Sequence, residues 1–579
     1  MGVALIAWGR FFDKQGNKVT VPAPTTEPEA PWLLDFLKEQ APRLRRVGFT
    51  AIQLPPTSKA AGGAGAGCDG YGVYDPRDIG SKPQQGSTAT RYGSRQSLLQ
   101  FIAAAHANGM QVYLDLVLHQ RMGENAGPGV FKYLGADGKT LSGRGQTSPS
   151  WFRGVPPDNL PDDDVPNKFF DYAFGRELSY QHCEPPRVTI EDALDYGDWV
   201  FRTTGADGAR FDDVKGTWAP FVHEFMTSRA MTSKFFYSEY FEGNPDTLDW
   251  WANSVPMNGR SLVEDFTLHW ALQEACNNGH AEILNGSGYT ARHPMQAVTF
   301  IDNPDTDTSK GQQIISNKLL AYAFLLTIEG YPFVYGKDYF DDKVWTGAYG
   351  LHTWIDRLVM IHEHMANGGT VTRYLDDKVI VLNRIGSPGL LTAINFDTWN
   401  KRTITCDTSF PPNTDLHDYT ARHPDIQTDP YGRVTFTIPS NEYNNGQSYL
   451  CFSRPGIDLT SHGSAKTTTQ TILGSWDLDI KPVLNQTVEI GKIEIKEGTT
   501  LEAEIRLDRN GWPPSAEANL TVIGPNNHQI LNQRCLDPLT RATTLESKGG
   551  THTIEISGTF LPENGTNFEV TLTYMAPHG

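Results

Sequence analysis

The stretch GADGARFDDVKG, residues 205–216, crowds Arg210, Asp212, Asp213 and Lys215 together after a glycine-rich turn and then ends on a glycine. Apolar Ala209, Phe211 and Val214 interleave with those charges. The alternation Ala-Arg-Phe-Asp has period two, the pattern of a short buried strand whose end carries the polar groups. Taken alone, it reads equally as an ion pair closing a strand end.

The sequence on either side repeats this arrangement. TAIQLPP (50–56) precedes the helical pattern RQSLLQFIAAAHANG (95–109), which leads into MQVYLDLVL (110–118). WVFRTTG (199–205) leads into ARFDD, and TSKFFYSEY (232–240) and MQAVTFID (295–302) read as further strands. Strands alternating with helices imply a parallel sheet, and many such units imply a closed βα barrel. A Gly/Pro/Asp-rich insertion occupies about 121–180, and irregular segments of that length inside a compact domain are usually functional. Beyond about 372 the pattern changes to VIVLNRIG, LLTAINFD, RVTFTIP and SYLCFSR, which read as a β-sandwich. SRPGIDLTSHGSAKTTTQT (453–471) is a polar linker, and LEAEIRL, ANLTVIG, HTIEISGTF and FEVTLTY form a second sandwich within 472–579.

With 579 residues the chain is too long for one core, and its 39% apolar and 20% charged content suits a soluble globular protein. A net charge of −18 argues against a nucleic-acid partner, and no apolar run approaches a membrane span. A neutral partner fits better, and Trp and Tyr rings offer flat faces on which sugar C–H patches stack. The six cysteines (68, 183, 276, 406, 451, 535) contain no CxxC pair, so a thiolate zinc site is not expected. Cys406 and Cys451 flank one β domain and are compatible with a disulfide, buried free thiols being the default. GVALIAWGRFF lacks the features of a secretory leader, which suggests a cytoplasmic chain or one already processed. N-x-S/T sequons begin at Asn285, Asn485, Asn519 and Asn564, a weak pointer to secretion.

Four strand ends carry acids: Asp115 in YLDLVLHQ, Asp212 in GARFDD, Glu239 in FFYSEYFEGN and Asp305 in FIDNPDTD. In a βα barrel such ends converge on one face, where active sites are built. Carboxylates meeting there repel, which raises the pKa of at least one. One ionised carboxylate and one protonated carboxyl are what glycoside hydrolysis requires, and a separation of ~5–5.5 Å would predict retention.

GYGVYDPRDIG (70–80), MQVYLDLVLHQ (110–120), GADGARFDDVK (205–215), FFYSEYFEGN (235–244) and AVTFIDNPDTD (297–307) occur in that order. On these segments the sequence resembles the α-amylase family of retaining α-glycosidases, glycoside hydrolase family 13, over residues about 1–455. The bacterial liquefying and fungal intracellular types are the nearest in look. The resemblance implies an α/β fold: a (β/α)8 TIM barrel with an inserted domain B, followed by two all-β sandwich domains. Its boundaries are 1–120 and 181–372 for the barrel, 121–180 for domain B and 373–455 for sandwich domain C. A 456–471 linker and a C-terminal sandwich at 472–579 follow, the latter a candidate carbohydrate-binding module. Trp476 and Trp512 are its stacking candidates, against core or surface roles.

By the same resemblance Asp212 is the nucleophile, Glu239 the general acid/base and Asp305 the transition-state stabiliser. Arg210 partners the nucleophile, Asp115 supports it, and Tyr71 is the platform under the sugar. Gln120, Lys215 and Asn303 are further substrate-binding candidates. Two residues apart on a strand, Arg210 and Asp212 point to the same side, so a permanent cation would hold that carboxylate ionised. Asp213 should face the other way and serve structure. Glu242 is open to a substrate or a surface role.

The sequence also departs from the family. Gly216 stands where a calcium-binding histidine is usual, His119-Gln120 where Asn or Asp then His is usual, and Pro304 where histidine precedes Asp305. Gln120 can donate a hydrogen bond but Pro304 has no donor, and one lost transition-state donor costs on the order of 10²–10³ in rate. A hard cation needs ~6–8 oxygens. With His119 and Gly216 at ligand positions no calcium is expected at the usual place, although Glu177 still matches one acidic ligand. PDDDVPN (161–167) reads as a cation site or, more simply, a solvated turn. The expected activity is endo-acting, retaining hydrolysis of α-1,4-glucosidic bonds in starch, glycogen or maltooligosaccharides by a monomer. The alternatives are an α-glucan transglycosylase, a hydrolase of an unusual or substituted α-glucan, or a low-activity glucan-binding protein.

Overall fold

The computed structural model describes residues 2–12, 18–21, 32–65, 67–135, 146–166, 175–308, 311–341, 347–442, 446–459, 467–476, 485–509, 512–559 and 566–576. Its central feature is a barrel of β1 (Val3–Ile6), β2 (Phe49–Gln53), β3 (Gln111–Leu116), β4 (Gly208–Phe211), β5 (Phe235–Ser238), β6 (Leu262–Glu264), β7 (Ala297–Phe300) and β8 (Tyr331–Tyr335). These eight strands close in the order β1-β8-β7-β6-β5-β4-β3-β2. A helix follows each strand in turn: α1 (Leu33–Val47), α2 (Arg95–Ala107), α3 (Val188–Thr204), α4 (Ala219–Met226), α5 (Pro245–Asn253), α6 (Phe266–Asn278), α7 (Lys318–Leu325) and α8 (His352–Met365). This is the (β/α)8 architecture expected from the alternating pattern.

Local chemistry sets the joints. Ser94 caps α2 by accepting from the Ser97 amide, and Leu98, Phe101 and Ile102 bury its inner face. Helix α3 stops because Gly205 adopts the left-handed conformation (φ 71°) and its N–H returns to the Phe201 carbonyl, 2.9 Å away. That glycine opens the quoted stretch, so the turn into β4 is built by its first residue. Strand β4 then pairs in parallel with β3, Arg210 opposite Asp115, and with β5, Arg210 opposite Tyr237.

The chain divides into two compact units, 1–18 with 47–51 and 240–460, and 19–46 with 52–239 and 461–579. In the first unit an antiparallel six-stranded sheet runs from Thr370–Leu375 to Tyr449–Ser453, with Arg402–Asp407 and Arg433–Ile438 paired separately. Val381, Leu391, Phe436 and Phe452 fill its core. Its first strand starts at 370, ahead of the 373 boundary read from sequence. Cys406 and Cys451 are buried free thiols, as are Cys183, Cys276 and Cys535, while Cys68 is half-buried and free.

In the second unit Gln120–Arg121 pairs antiparallel with Arg176–Glu177 at the two ends of the insertion. Tyr180 stacks on Phe221 of α4 with centroids 3.6 Å apart, and Phe131, Phe152 and Val155 are buried within the insertion. At its centre the acidic PDDDVPN is not a solvated turn. Asp163 is buried and accepts from Ser179 Oγ (2.7 Å) and the Tyr180 amide (2.7 Å), holding the turn at 179–181.

The C-terminal residues form two four-stranded antiparallel sheets. Thr467–Trp476 is a strand paired with Thr566–Met575, so the linker ends before Thr467 rather than at 471. Residues 460–466, the Asn564 sequon and the side chain of Trp476 lie outside what is described. The core of these sheets includes Ala103 and Ala107 of α2 together with Ile493, Ile505 and Leu572. Gly491 allows that approach: a Cβ there would lie 2.8 Å from Ala107 Cβ. Tyr574 OH donates to the Ala107 carbonyl at 2.9 Å, and Asn108 Nδ2 donates to the Lys492 carbonyl. Trp512 packs against this core with the Arg509 guanidinium 4.8 Å from its ring centroid, which favours a core role over an open stacking face.

Candidate active site

One guanidinium organises the ends of three adjacent barrel strands. Arg210, the third residue of β4, sends Nη1 to Asp115 of β3 (2.9 Å) and to Asp212 just past β4 (2.9 Å). Its Nη2 lies 2.8 Å from Glu239, the residue after β5. The ladder itself carries these residues into position, since the Asp212 amide donates to the Leu116 carbonyl (3.1 Å) and the Glu239 amide to the Phe211 carbonyl (3.0 Å). Tyr71 OH donates to Asp115 Oδ2 (2.7 Å), and Gln53, which ends β2, donates to the same oxygen (3.3 Å). The sequence reading pairs Arg210 with Asp212 and has Asp115 support it, without Glu239. Geometry corrects this: the cation is shared among three carboxylates.

That sharing decides the electrostatics. One fixed positive charge faces three buried acids, so full ionisation would leave an excess of two negative charges in a poorly solvated place. Burial pushes Asp115 up to about 6 against the pull of Arg210. Burial also holds Asp212 well above the ordinary carboxylate range, with Arg210 opposing and Glu239 and Asp115 adding to the rise. Arg210 therefore moderates the cluster rather than forcing Asp212 to ionise, and the cluster as a unit is poised to keep a proton.

Asp213 serves structure, but not by facing away on a strand. Strand β4 has ended, and Asp213 takes a left-handed backbone (φ 39°). Its amide donates to Glu239 Oε2 (3.1 Å), which steadies that carboxylate, and its own carboxylate accepts from the Gly216 amide (3.1 Å). Burial and Glu239 push Asp213 up to about 7. Lys215 follows half-buried in the same turn, and Glu242 accepts from the Asn244 amide (3.2 Å) in the loop after β5.

The closing glycine of the quoted stretch now has a steric reason. A Cβ on Gly216 would come within 2.7 Å of Asp213 Oδ2 and 2.9 Å of His119 Nε2. The imidazole of His119 fills the space that a side chain at 216 would occupy. Around it sit Gln120, whose Oε1 is 2.8 Å from His119 Nδ1, Glu177, and Arg153 of the insertion, whose Nη2 is 3.0 Å from His119 Nε2. Burial and Arg153 lower His119 to about 3, so it is neutral at ordinary pH, and burial raises Glu177 to about 7. The residues at the calcium place implied by the resemblance thus present an imidazole and a guanidinium that already takes the Glu177 and Gly216 oxygens. That set does not fit a hard cation, which needs about six to eight free oxygens, because a fixed guanidinium and an imidazole stand among the few oxygens present.

Asp305 and Asn303 belong to the other compact unit, in the loop after β7. Asn303 Oδ1 accepts from the amides of Asp305 (2.9 Å) and Thr306 (2.9 Å), so this side chain shapes the loop that presents Asp305. Asp115, Arg210, Asp212, Glu239 and Tyr71 form one hydrogen-bonded cluster, and Gln120 joins it by donating to the Tyr71 carbonyl (3.1 Å). Gln53, Arg153 and the Asp213 amide escaped the sequence reading. Gln53 alone left a signal there, as a polar residue at the end of an apolar strand.

No protein-family model matches this chain. It is 30% identical over 392 residues to the α-amylase of Geobacillus stearothermophilus, spanning 59% of this chain and 69% of that protein. It is 28% identical over 397 residues to the glucan 1,4-α-maltohexaosidase of Bacillus sp. (strain 707), spanning 60% of this chain and 74% of that one. Among solved structures, the α-amylase of Geobacillus thermoleovorans complexed with acarbose superposes with a TM-score of 0.55 at 17% identity, over 78% of this chain and 97% of its own. That likeness is one of fold. No helix among the described residues is long and apolar enough to cross a membrane.

Proposed function

The chain belongs to the α-amylase family, glycoside hydrolase family 13, and on that premise we propose that it cleaves internal α-1,4-glucosidic bonds of starch, glycogen or maltooligosaccharides with retention of configuration. It is an α-amylase-type glycoside hydrolase. The observation that carries the finer reading is the single guanidinium bridging Asp115, Asp212 and Glu239 at three neighbouring strand ends. Retention requires two carboxyl groups ~5–5.5 Å apart, and two acids held by the two Nη atoms of one arginine suit that spacing.

In the proposed reaction Asp212 attacks the anomeric carbon while Glu239 gives its proton to the departing glycosidic oxygen. The C1–O bond breaks, a glycosyl ester forms on Asp212, and the shorter glucan leaves. Glu239, now ionised, takes a proton from water, whose oxygen attacks C1 and frees Asp212. The resting enzyme needs one carboxyl protonated and one not, so the reaction requires the proton kept by this cluster to pass to Glu239 as Asp212 ionises. Asp305 takes the third role from its place in FIDNPDTD: to hold sugar hydroxyls more strongly as the ring flattens toward the oxocarbenium-like state.

Gln120 supports a second reading of the substrate. Its amide is engaged on both sides, by His119 and by the Tyr71 carbonyl, and Pro304 offers no donor, so a substituted or unusual α-glucan becomes a candidate. The deciding experiment is chromatography of digests from a panel of plain and 6-substituted α-glucans, with the anomer of the first product read by NMR. Internal cleavage of starch to α-configured products supports the first reading. Inverted products, or no turnover of any α-glucan, would overturn it.

A further inference from the structure

We propose that Arg153 is a built-in cation: its guanidinium ties the 121–180 insertion to the ends of β3 and β4 without calcium, and through His119 it orients Gln120 and Tyr71 beside the carboxylate cluster. The second half of this proposal rests on reading that cluster as the sugar-binding centre; the first half does not.

Arg153 lies on the insertion, where its amide donates to the Glu177 carbonyl (3.0 Å) and its side chain is only 3% exposed. Its contacts converge on one nitrogen, as ligands converge on an ion. Nη2 donates to His119 Nε2 (3.0 Å) and to the Gly216 carbonyl (3.1 Å), and stands 3.2 Å from Glu177 Oε2. Nε and Nη1 meet no acceptor among the described residues. A buried guanidinium with idle donors is costly to retain, so hydrogen-bond satisfaction alone does not account for it. Neutralising the acids around it does: Glu177 on the insertion and Asp213 after β4 both border the same imidazole.

The orientation argument follows from donor chemistry. A guanidinium only donates, so His119 Nε2 must accept and the ring proton must sit on Nδ1. Nδ1–H then faces Gln120 Oε1 at 2.8 Å, which turns the amide so that Nε2 donates to the Tyr71 carbonyl at 3.1 Å. Tyr71 in turn donates its hydroxyl to Asp115. A relay of fixed polarity therefore runs from Arg153 to the carboxylates. Gly216 completes it, because any side chain there would collide with the imbedded ring or with Asp213.

The test has three arms on the full chain. Wild-type protein should melt at the same temperature in EDTA and in calcium chloride, and equilibrium dialysis against calcium should leave no stoichiometric metal on it. Arg153→Met should melt lower and expose the insertion to limited proteolysis, with millimolar methylguanidinium restoring both; Arg153→Lys should fall between. On a maltooligosaccharide substrate Arg153→Met should lose on the order of 10–100-fold in kcat/KM, mainly through KM, as supporting residues behind a reacting group do. Chelator-induced melting reversed by calcium, one calcium bound per chain, or an Arg153→Met variant with unchanged melting and KM would overturn the proposal. Should Arg153→Met fail to fold, Arg153→Lys and the wild-type calcium arms still decide it. The melting and dialysis arms read no turnover, so they stand apart from any failure of the α-glucan reading.

Discussion

Two buried ionic clusters each set carboxylates against basic side chains and differ in their arithmetic. At the ends of β3, β4 and β5 one arginine faces three acids, and the side chains of Asp212 and Glu239 keep 10% exposure. In the other unit Lys318 of α7 bridges Asp302 (2.7 Å) and Asp338 (2.9 Å), and Lys337 pairs with Asp307. There the Tyr322 hydroxyl donates to Asp338 (2.8 Å), Thr306 Oγ donates to Asp302 (3.1 Å), and both aspartates of the Lys318 bridge are fully covered. Asp302 and Asp338 are pushed up to about 6 by burial, while their charges hold Lys318 well above its ordinary value. Two cations for three acids, sealed and cross-bonded, make a strut beneath the 302–307 loop. One cation for three acids, left open, makes a place where a proton can move. The count of neutralising charges, more than the presence of charge, separates scaffold from chemistry.

Substitutions should divide along that line. The largest effect expected is in Asp212→Asn, which should cost ~10⁴-fold or more in kcat, as loss of a nucleophile does, while melting temperature holds or rises because a crowded charge is gone. A matching drop in stability would break the comparison. Lys318→Met should do the reverse, costing about 3–5 kcal/mol of stability in denaturant titration because buried carboxylates lose their partner, with turnover per folded molecule falling far less than in Asp212→Asn.

Asp115→Asn sharpens the comparison through pH. Asp115 raises Asp212, so its removal lowers the pH at which the nucleophile ionises, and the acidic limb of kcat/KM should move downward. An upward move would sink the account. The stability sign is equally definite. With its folded value raised to about 6, Asp115 contributes stability that is complete below its unfolded value and lost as pH rises through about 6. The asparagine variant should be flatter over that window. The smallest effect, about 1 kcal/mol, is expected for Tyr574→Phe, which deletes one neutral hydrogen bond to α2 and touches neither cluster.

Much of this was legible in the chain. Strands β2, β3, β4, β5 and β7 show in the apolar pattern because each is bounded by turn residues, and all but β2 carry an acid at or beyond their C-terminal end. Strands β1, β6 and β8 did not stand out: VALI is apolar throughout and so shows no alternation, LVE is only three residues, and YPFVY carries a proline that demotes a strand reading. The departures at His119, Gln120 and Gly216 were visible as letters, but their meaning was not. It depends on Arg153, distant in sequence, and on a Cβ that would collide, and no local pattern encodes either.

The shared core of α2 and the C-terminal sheets has a consequence for biosynthesis. Tyr574 and its acceptor Ala107 are 467 residues apart, and the strand bearing Tyr574 pairs with both Thr467–Trp476 and Glu502–Leu507. A ribosome adding ~5–20 residues per second would leave the Ala103/Ala107 face of α2 uncovered for roughly 20–90 s after that helix emerges. During that interval an unfinished enzyme presents an apolar stripe that its own C-terminal sheets later cover, which makes nascent chains halted short of those sheets natural clients for chaperones.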